Sequence, residues 1–179
     1  MFNSYSLRIS ELLKHVQNDA VERLQAAIRN AISENGTIYV LGNGGSATTA
    51  SHFVNDMRII AQRRGLTVKA VSLSDNIACI TAVGNDLSFN EIFKAQIVGI
   101  LKKEDLLFLI SVSGNSANLI SAAHYAKEVG AGTVALLGFD GGELLKISDF
   151  YCLVPSLDDE YGPTEDIHLS ICHFLASSA

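Results

Sequence analysis

The stretch "FLISVSGNSANLI", residues 108–120, opens as an apolar run, breaks into Ser-Val-Ser-Gly-Asn-Ser, and then takes up helical spacing. Three hydroxyls, a glycine and an asparagine therefore stand at the mouth of what reads as a buried strand. The stretch "TIYVLGNGGSATTASHF", residues 37–53, repeats the arrangement upstream with Gly-Asn-Gly-Gly-Ser as its polar loop. Outward from these two turns, β-like runs read as TIYVLG (37–42), TVKAVSL (67–73), LLFLISV (106–112), TVALLG (133–138) and FYCLVP (150–155). Helix-like stretches lie between and after them, at about 46–64, 76–100, 116–129, 141–147 and 164–176. Apolar strands alternating with helices predict an α/β fold, a parallel sheet covered by helices on both faces. LLFLISV is the most uniformly apolar run and belongs near the sheet centre.

Before the first strand, Leu12, Leu13, Val16, Ala20, Leu24, Ala27, Ile28 and Ala31 keep helical spacing. The spacing predicts one long amphipathic helix over residues 5–33. A five-stranded sheet does not need that helix, so its apolar stripe is expected to be buried in subunit packing. The reading is one domain over 1–179, with 1–34 as the N-terminal oligomerisation helix and 35–179 as the α/β core. A length of 179 residues with 48% hydrophobic content suits one sizeable core, and no Pro- or Gly-rich linker divides the chain.

No apolar run approaches the roughly 20 residues needed to span a bilayer. The N-terminus mixes charges into its helical spacing and lacks the continuous apolar core of a signal peptide. Three cysteines are too few for a disulfide framework, so a reducing cytoplasm is the expected compartment. Thirteen basic against 19 acidic residues, a net charge of −6, disfavour a broad nucleic-acid footprint.

In an open α/β sheet, ligands bind outside the carboxyl ends of the strands. Both polar loops sit at such ends, and each opens a helix whose free N–H groups and dipole favour an anion. Ser111, Ser113 and Ser116 add hydroxyls, and Gly114 would let the backbone approach a ligand. Helix capping alone accounts for one such side chain, but not for a serine cluster plus a second loop. A Walker A loop is excluded, because no Gly-Lys-Ser/Thr follows either turn. Gly42-Asn43-Gly44-Gly45-Ser46-Ala47 matches the dinucleotide pattern G-x-G-x-x-A, yet the acidic residue expected about 20 positions on is absent. Asp75 is the nearest substitute. A phosphosugar suits these loops better than a dinucleotide.

Other chemistry-bearing residues lie on predicted helices. His52 and Asp56 are four apart and share a face. Glu165, His168, Cys172 and His173 decorate the last helix, where Glu165 and His168 face the same way. Glu165 and His173 are about 12 Å apart along the axis, so spacing alone pairs Glu165 with His168. Asn85-Asp86, in AVGNDLSFN, reads either as a helix cap or as a sugar-hydroxyl contact.

Together, LGNGGSATTASHFVND, AVGNDLSFNEIF, ISVSGNSANLI and EDIHLSICH resemble the sugar isomerase (SIS) domain, and in particular the phosphoheptose (sedoheptulose 7-phosphate) isomerases. The resemblance runs over nearly the whole chain. It implies a three-layer α-β-α sandwich with five parallel strands, and a homotetramer with active sites between subunits. It also implies interconversion of an aldose and a ketose phosphate through an enediol. Carried over residue by residue, substrate contacts fall on Asn43, Gly44, Gly45, Asp56, Asn85, Asp86, Ser111, Ser113, Ser116 and Glu165. The acid/base pair falls on Asp56 and His173, and the ligands of a Zn2+ ion on His52, Asp56, Glu165 and His173. This overrules the Glu165–His168 pairing and leaves His168 structural and Cys172 in the core.

The sequence departs from the family at several points. Asp56 stands where Glu is usual, Glu165 where Gln is common, and Val112 where Thr is frequent, and YGPTE lacks the usual charged side chains before Glu165. These changes bear on substrate identity more than on reaction class, and another phosphosugar isomerase or an etherase on the same fold is an open alternative. A non-catalytic SIS protein that binds the replication initiator is disfavoured by the retained His173 and Asp56. A sugar-sensing regulator is disfavoured by the absence of a DNA-binding segment.

Overall fold

The computed structural model describes residues 2–178. Five strands, β1 (Thr37–Gly42), β2 (Lys69–Ser72), β3 (Leu106–Ser111), β4 (Gly132–Leu137) and β5 (Phe150–Leu153), form one sheet in the order β2-β1-β3-β4-β5. Every pairing is parallel. β3 lies at the centre and is buried along its whole length, as its unbroken Leu-Leu-Phe-Leu-Ile run requires. β2 and β5 are the edges, and there every-other or weaker burial replaces the continuous pattern.

Strand periodicity divides the core in two. Ile38, Val40, Phe108, Ile110, Val134 and Leu136 point to one face, whereas Tyr39, Leu41, Leu107, Leu109, Ala135 and Leu137 point to the other. The first face is covered by α2 (Asn18–Ser33), α3 (Gly44–Arg63) and α8 (Tyr161–Ser178), with α1 (Phe2–Leu13) lying on α8. The second is covered by α4 (Ile77–Asp86), α5 (Lys94–Ile97), α6 (Ala117–Val129) and α7 (Gly142–Ile147). The three-layer sandwich expected from the sequence is the fold.

The single N-terminal helix is not. Residues 14–17 break it into α1 and α2, through short turns from Lys14 N–H to Glu11 O and from His15 N–H to Leu12 O. Gln17 is extended, and α2 restarts with Asp19 in its first turn, where an acidic side chain suits the dipole. The stripe of α2 is buried against its own sheet: Leu24 and Ile28 are fully inaccessible. Apolar surface left over in this region belongs instead to α1, at Phe2 and Leu7. The expected helix over 76–100 is also divided, into α4, a 3-10 turn (Phe89–Glu91) and α5, because Leu87 leaves helical backbone and the Ser88 hydroxyl accepts from Asn90 N–H.

Candidate active site

The strand order reverses between β1 and β3, so the crevice beyond their carboxyl ends is the expected ligand position for a doubly wound sheet. Both polar loops converge there. Asn43, Ser46, Ser111, Ser113 and Ser116 line one pocket of about 110 Å3, with Tyr161 and Glu165 from the start of α8 on its wall. That volume is a few times the roughly 30 Å3 share of one water, room for a phosphoryl group. It is well below the roughly 300–1,000 Å3 of sites that engulf larger ligands. Clefts of about 420 and 580 Å3 lie elsewhere on the molecule, and neither includes a residue of the serine loop.

The capping alternative can be tested on individual atoms. Asn43 and Ser116 occupy the N-cap positions of α3 and α6, but neither side chain makes a capping hydrogen bond. Ser111 Oγ accepts from Gly114 N–H at 3.1 Å and Ser113 Oγ accepts from Asn115 N–H at 3.3 Å. Accepting leaves each hydroxyl proton to donate. The loop is thus shaped internally while its O–H groups, and the positive ends of α3 and α6, remain for an anion.

Gly114 does something other than expected. Its backbone is left-handed, at φ +64°, and a Cβ there would run into the Gly141 carbonyl. The residue packs the serine loop onto the turn before α7, where Leu144 N–H donates to Gly114 O at 3.0 Å. Close approach to that backbone, not to a ligand, is what demands glycine.

The second part of the site is built by α3 against α8. Phe53 drives α3 onto the sheet, its ring 5.1 Å from that of Phe108. His52 and Asp56 are thereby turned toward α8. There Ile171 and Cys172 are buried and the adjacent His173 faces α3. The result is a triad: His52 Nε2 to Asp56 Oδ2 3.2 Å, His173 Nε2 to His52 Nε2 3.0 Å, and His173 Nε2 to Asp56 Oδ2 3.8 Å. Both imidazoles are half-exposed, so a ligand can reach them. The shorter Asp56 side chain still delivers its carboxylate to the cluster.

Two imidazoles and a carboxylate are donors that suit Zn2+. Tetrahedral bonds of about 2.0–2.1 Å place ligand atoms about 3.3 Å apart, and the three separations bracket that value. The triad therefore fits such an ion. Glu165, the fourth expected ligand, stands outside it. Its carboxylate lies over Gly45, where an added Cβ would collide with it, and only His52, Asp56 and His173 share ligand atoms within 4.8 Å among the described residues. Two turns of α8 separate Glu165 from His173, and Glu165 is not paired with the buried His168 either. Burial raises the Glu165 carboxyl above the ordinary carboxylate value, with Asp166 adding repulsion.

Asn85 and Asp86 are not gathered into this site. They are exposed at the end of α4, where Asn85 Nδ2 donates to Asp86 Oδ1 at 2.7 Å. His168 is structural, as expected. Fully buried, its Nε2 lies 3.0 Å from Leu137 O at the end of β4, and burial pushes its pKa down to about 4. Burial likewise pushes the Cys172 thiol up, with the Asp56 charge adding to it. Asp75 is occupied at the end of β2, accepting from Ser72 at 3.0 Å and from Ser51. Sequence reasoning missed Ser46 and Tyr161 on the pocket wall. Ser46 was visible inside the quoted Gly-Gly-Ser motif, whereas nothing in the neighbourhood of Tyr161 marked it.

Comparison with known proteins places this geometry. The family model of the SIS domain matches residues 2–138. A phosphoheptose isomerase of Helicobacter pylori (strain P12) is 35% identical over 176 residues, covering 92% of this chain and 90% of that protein. The structure of a phosphoheptose isomerase from Francisella tularensis superposes with a TM-score of 0.90 at 29% identity, covering 99% and 93% of the two chains. That from Neisseria gonorrhoeae gives 0.88 at 29% identity, covering 98% and 92%.

Proposed function

The chain belongs to the SIS domain family and, within it, to the phosphoheptose isomerases, and we propose that its serine loop grips the phosphate of a heptose 7-phosphate while Asp56 and His173 work on the far end of the sugar. The reaction is the aldose–ketose interconversion of sedoheptulose 7-phosphate and D-glycero-D-manno-heptose 7-phosphate, a step of heptose biosynthesis. One observation carries the assignment of parts: the anion pocket and the triad stand on the same two helices, about 10–12 Å apart along them. Gly45 and His52 mark the two ends on α3, and Glu165 and His173 mark them on α8. An extended seven-carbon chain anchored by its phosphate has the reach to present C1 and C2 to the triad.

Ser111, Ser113 and Ser116, with the amino ends of α3 and α6, hold the phosphoryl oxygens. This remote binding energy positions the reacting carbons. Asp56 takes the proton from one carbon and returns it to its neighbour, a task that suits a carboxylate beside the chain. His173 serves the carbonyl oxygen, where an imidazole can supply and recover a proton. Glu165, kept more readily protonated by its burial, contacts substrate hydroxyls from the pocket wall. A zinc ion held by His52, Asp56 and His173 would polarise the sugar carbonyl.

A homotetramer with active sites between subunits is part of the same reading. It is supported by α4, which covers the sheet only through the half-buried Ile80 and Val83 and leaves Ile77 73% exposed. A neighbouring subunit covering α4 would also bring Asn85 and Asp86 into use. No helix of the described chain is long and apolar enough to cross a membrane. A cytoplasmic enzyme feeding lipopolysaccharide or capsule heptose fits the three free cysteines.

The test is turnover of sedoheptulose 7-phosphate by the wild type and by His173→Ala, before and after chelation and zinc return. Wild-type turnover with loss in His173→Ala supports the assignment, and a folded His173→Ala at the wild-type rate overturns it. An Nε2 atom that binds zinc has no lone pair for a proton. Activity that survives chelation removes zinc from the scheme and leaves His173 free to act as the acid, whereas activity restored only by zinc makes the metal a required part of the site.

A further inference from the structure

The two loops of the site are tied to each other by a side-chain pair that no substrate contact accounts for. Asn43 Nδ2 donates to Asn118 Oδ1 at 2.9 Å, and Asn118 Nδ2 donates back to Asn43 Oδ1 at 2.9 Å. The carboxamides thus meet head to head, in a closed two-bond ring. Asn43 ends the β1 loop and lines the anion pocket, whereas Asn118 sits in the first turn of α6, directly behind the serine loop, and is 2% exposed. Asn118 Oδ1 also accepts from Leu119 N–H at 3.0 Å, which fixes its own amide on the helix.

We propose that Asn118 is a positioning residue for the isomerisation: through its paired amide it fixes Asn43, and with it the β1 loop, in register with the phosphate-gripping serine loop. This rests on the isomerase reading above. Asn118 itself is buried behind the pocket and does not touch substrate.

Three observations support the role. The pair is the only side-chain hydrogen bond joining the β1 loop to the helix that follows the serine loop among the described residues. Asn43 gives up the capping bond its position invites, leaving its side chain committed to Asn118. Each carboxamide carries two N–H protons and spends one on the ring. The second proton of Asn43 is left for a ligand oxygen in the pocket, and its direction is set by the ring. Because Asn118 is buried and Asn43 partly so, breaking the ring leaves the Asn118 amide unpaired away from water, which costs more than losing an exposed hydrogen bond.

The experiment is a double-substitution cycle with steady-state kinetics on sedoheptulose 7-phosphate, using the wild type, Asn43→Ala, Asn118→Ala and the double variant. Folding is checked by circular dichroism and thermal unfolding. If the pair acts as one unit, Asn118→Ala raises KM about 10-fold with a smaller change in kcat, the loss expected when a net hydrogen bond's worth of ordering disappears from binding. The double variant is then no worse than the more damaged single variant. Asn118→Asp keeps the acceptor for Asn43 Nδ2 but sets a carboxylate against Asn43 Oδ1 and near the phosphate, so its KM rises above that of Asn118→Ala. Wild-type kinetics in a folded Asn118→Ala overturn the proposal, and so do losses that multiply in the double variant. A wild type with no turnover removes the isomerase reading and this role with it. An active wild type with independent losses removes only the pairing.

Discussion

His168 couples the stability of this protein to pH, and the size of the coupling follows from its burial. The imidazole is fully inaccessible, its Nε2 faces the Leu137 carbonyl, and its Nδ1 has no hydrogen-bond partner. In the neutral form Nε2–H donates to that carbonyl and Nδ1 keeps a bare lone pair. Protonation would place a charge and an unmet N–H in the core, so burial lowers the pKa from 6.5 to about 4, the Leu137 hydrogen bond opposing only weakly. Between those values the unfolded chain binds the extra proton and the folded chain does not. Stability from this group is complete above pH 6.5 and is lost as pH falls through about 4.

For one such group the loss between pH 7 and pH 5 is about 2 kcal/mol, approaching about 3 kcal/mol at lower pH. The assay is urea unfolding of the wild type and His168→Gln at a fixed protein concentration across pH 4.5–7.5. Gln removes the titration but retains a side-chain N–H, and every other titrating group is common to both proteins. The wild type should lose about 2 kcal/mol more than the variant on going from pH 7 to 5. Parallel stability curves would refute the reasoning. Since His168 ties α8 to the end of β4, the same loss loosens the helix that carries Glu165 and His173.

Three further outcomes are expected. Asp56→Asn keeps the size of the side chain and removes the carboxylate proposed as the base, so kcat should fall about 10²–10⁴-fold with little change in melting temperature; a rate near wild type, measured on folded protein, would reassign the base. Gly45→Ala sends a Cβ into the Glu165 carboxylate, the movable end of a side chain. It should lower kcat/KM while barely altering unfolding, and an unchanged kcat/KM would remove Glu165 from substrate contact. Leu24→Ala empties a fully buried position on α2 and should cost about 2–5 kcal/mol in denaturant unfolding. A cost near zero would mean that α2 is not part of the core.

The sheet was legible because burial on both faces leaves one solution for a strand such as Leu106–Ser111: with no polar alternation, it cannot lie at an edge. The break between α1 and α2 was not legible, for a comparable reason. Leu12, Val16, Ala20 and Leu24 keep a spacing of four straight through residues 14–17, so periodicity sees one helix where the backbone makes two. Charge and capping signals at Gln17-Asn18-Asp19 were the evidence available, and they are weaker than the stripe.

The site divides along a similar line. Loop chemistry announces itself in sequence, since hydroxyls and glycines between a strand and a helix have few other uses. Contacts across elements do not announce themselves. Asn118 reads as one more polar residue in a helix, and its meeting with Asn43, 75 positions earlier, exists only because β1 and β3 are neighbours in the sheet. Glu165 shows the converse. Its spacing from His173 argued against a common ion, the family pattern argued for one, and the carboxylate lies against Gly45 on the pocket side. Two turns of α-helix fix an axial distance that side-chain rotation shortens only by swinging both groups toward each other, so the helix repeat sets how far Glu165 and His173 must reach to share one ion.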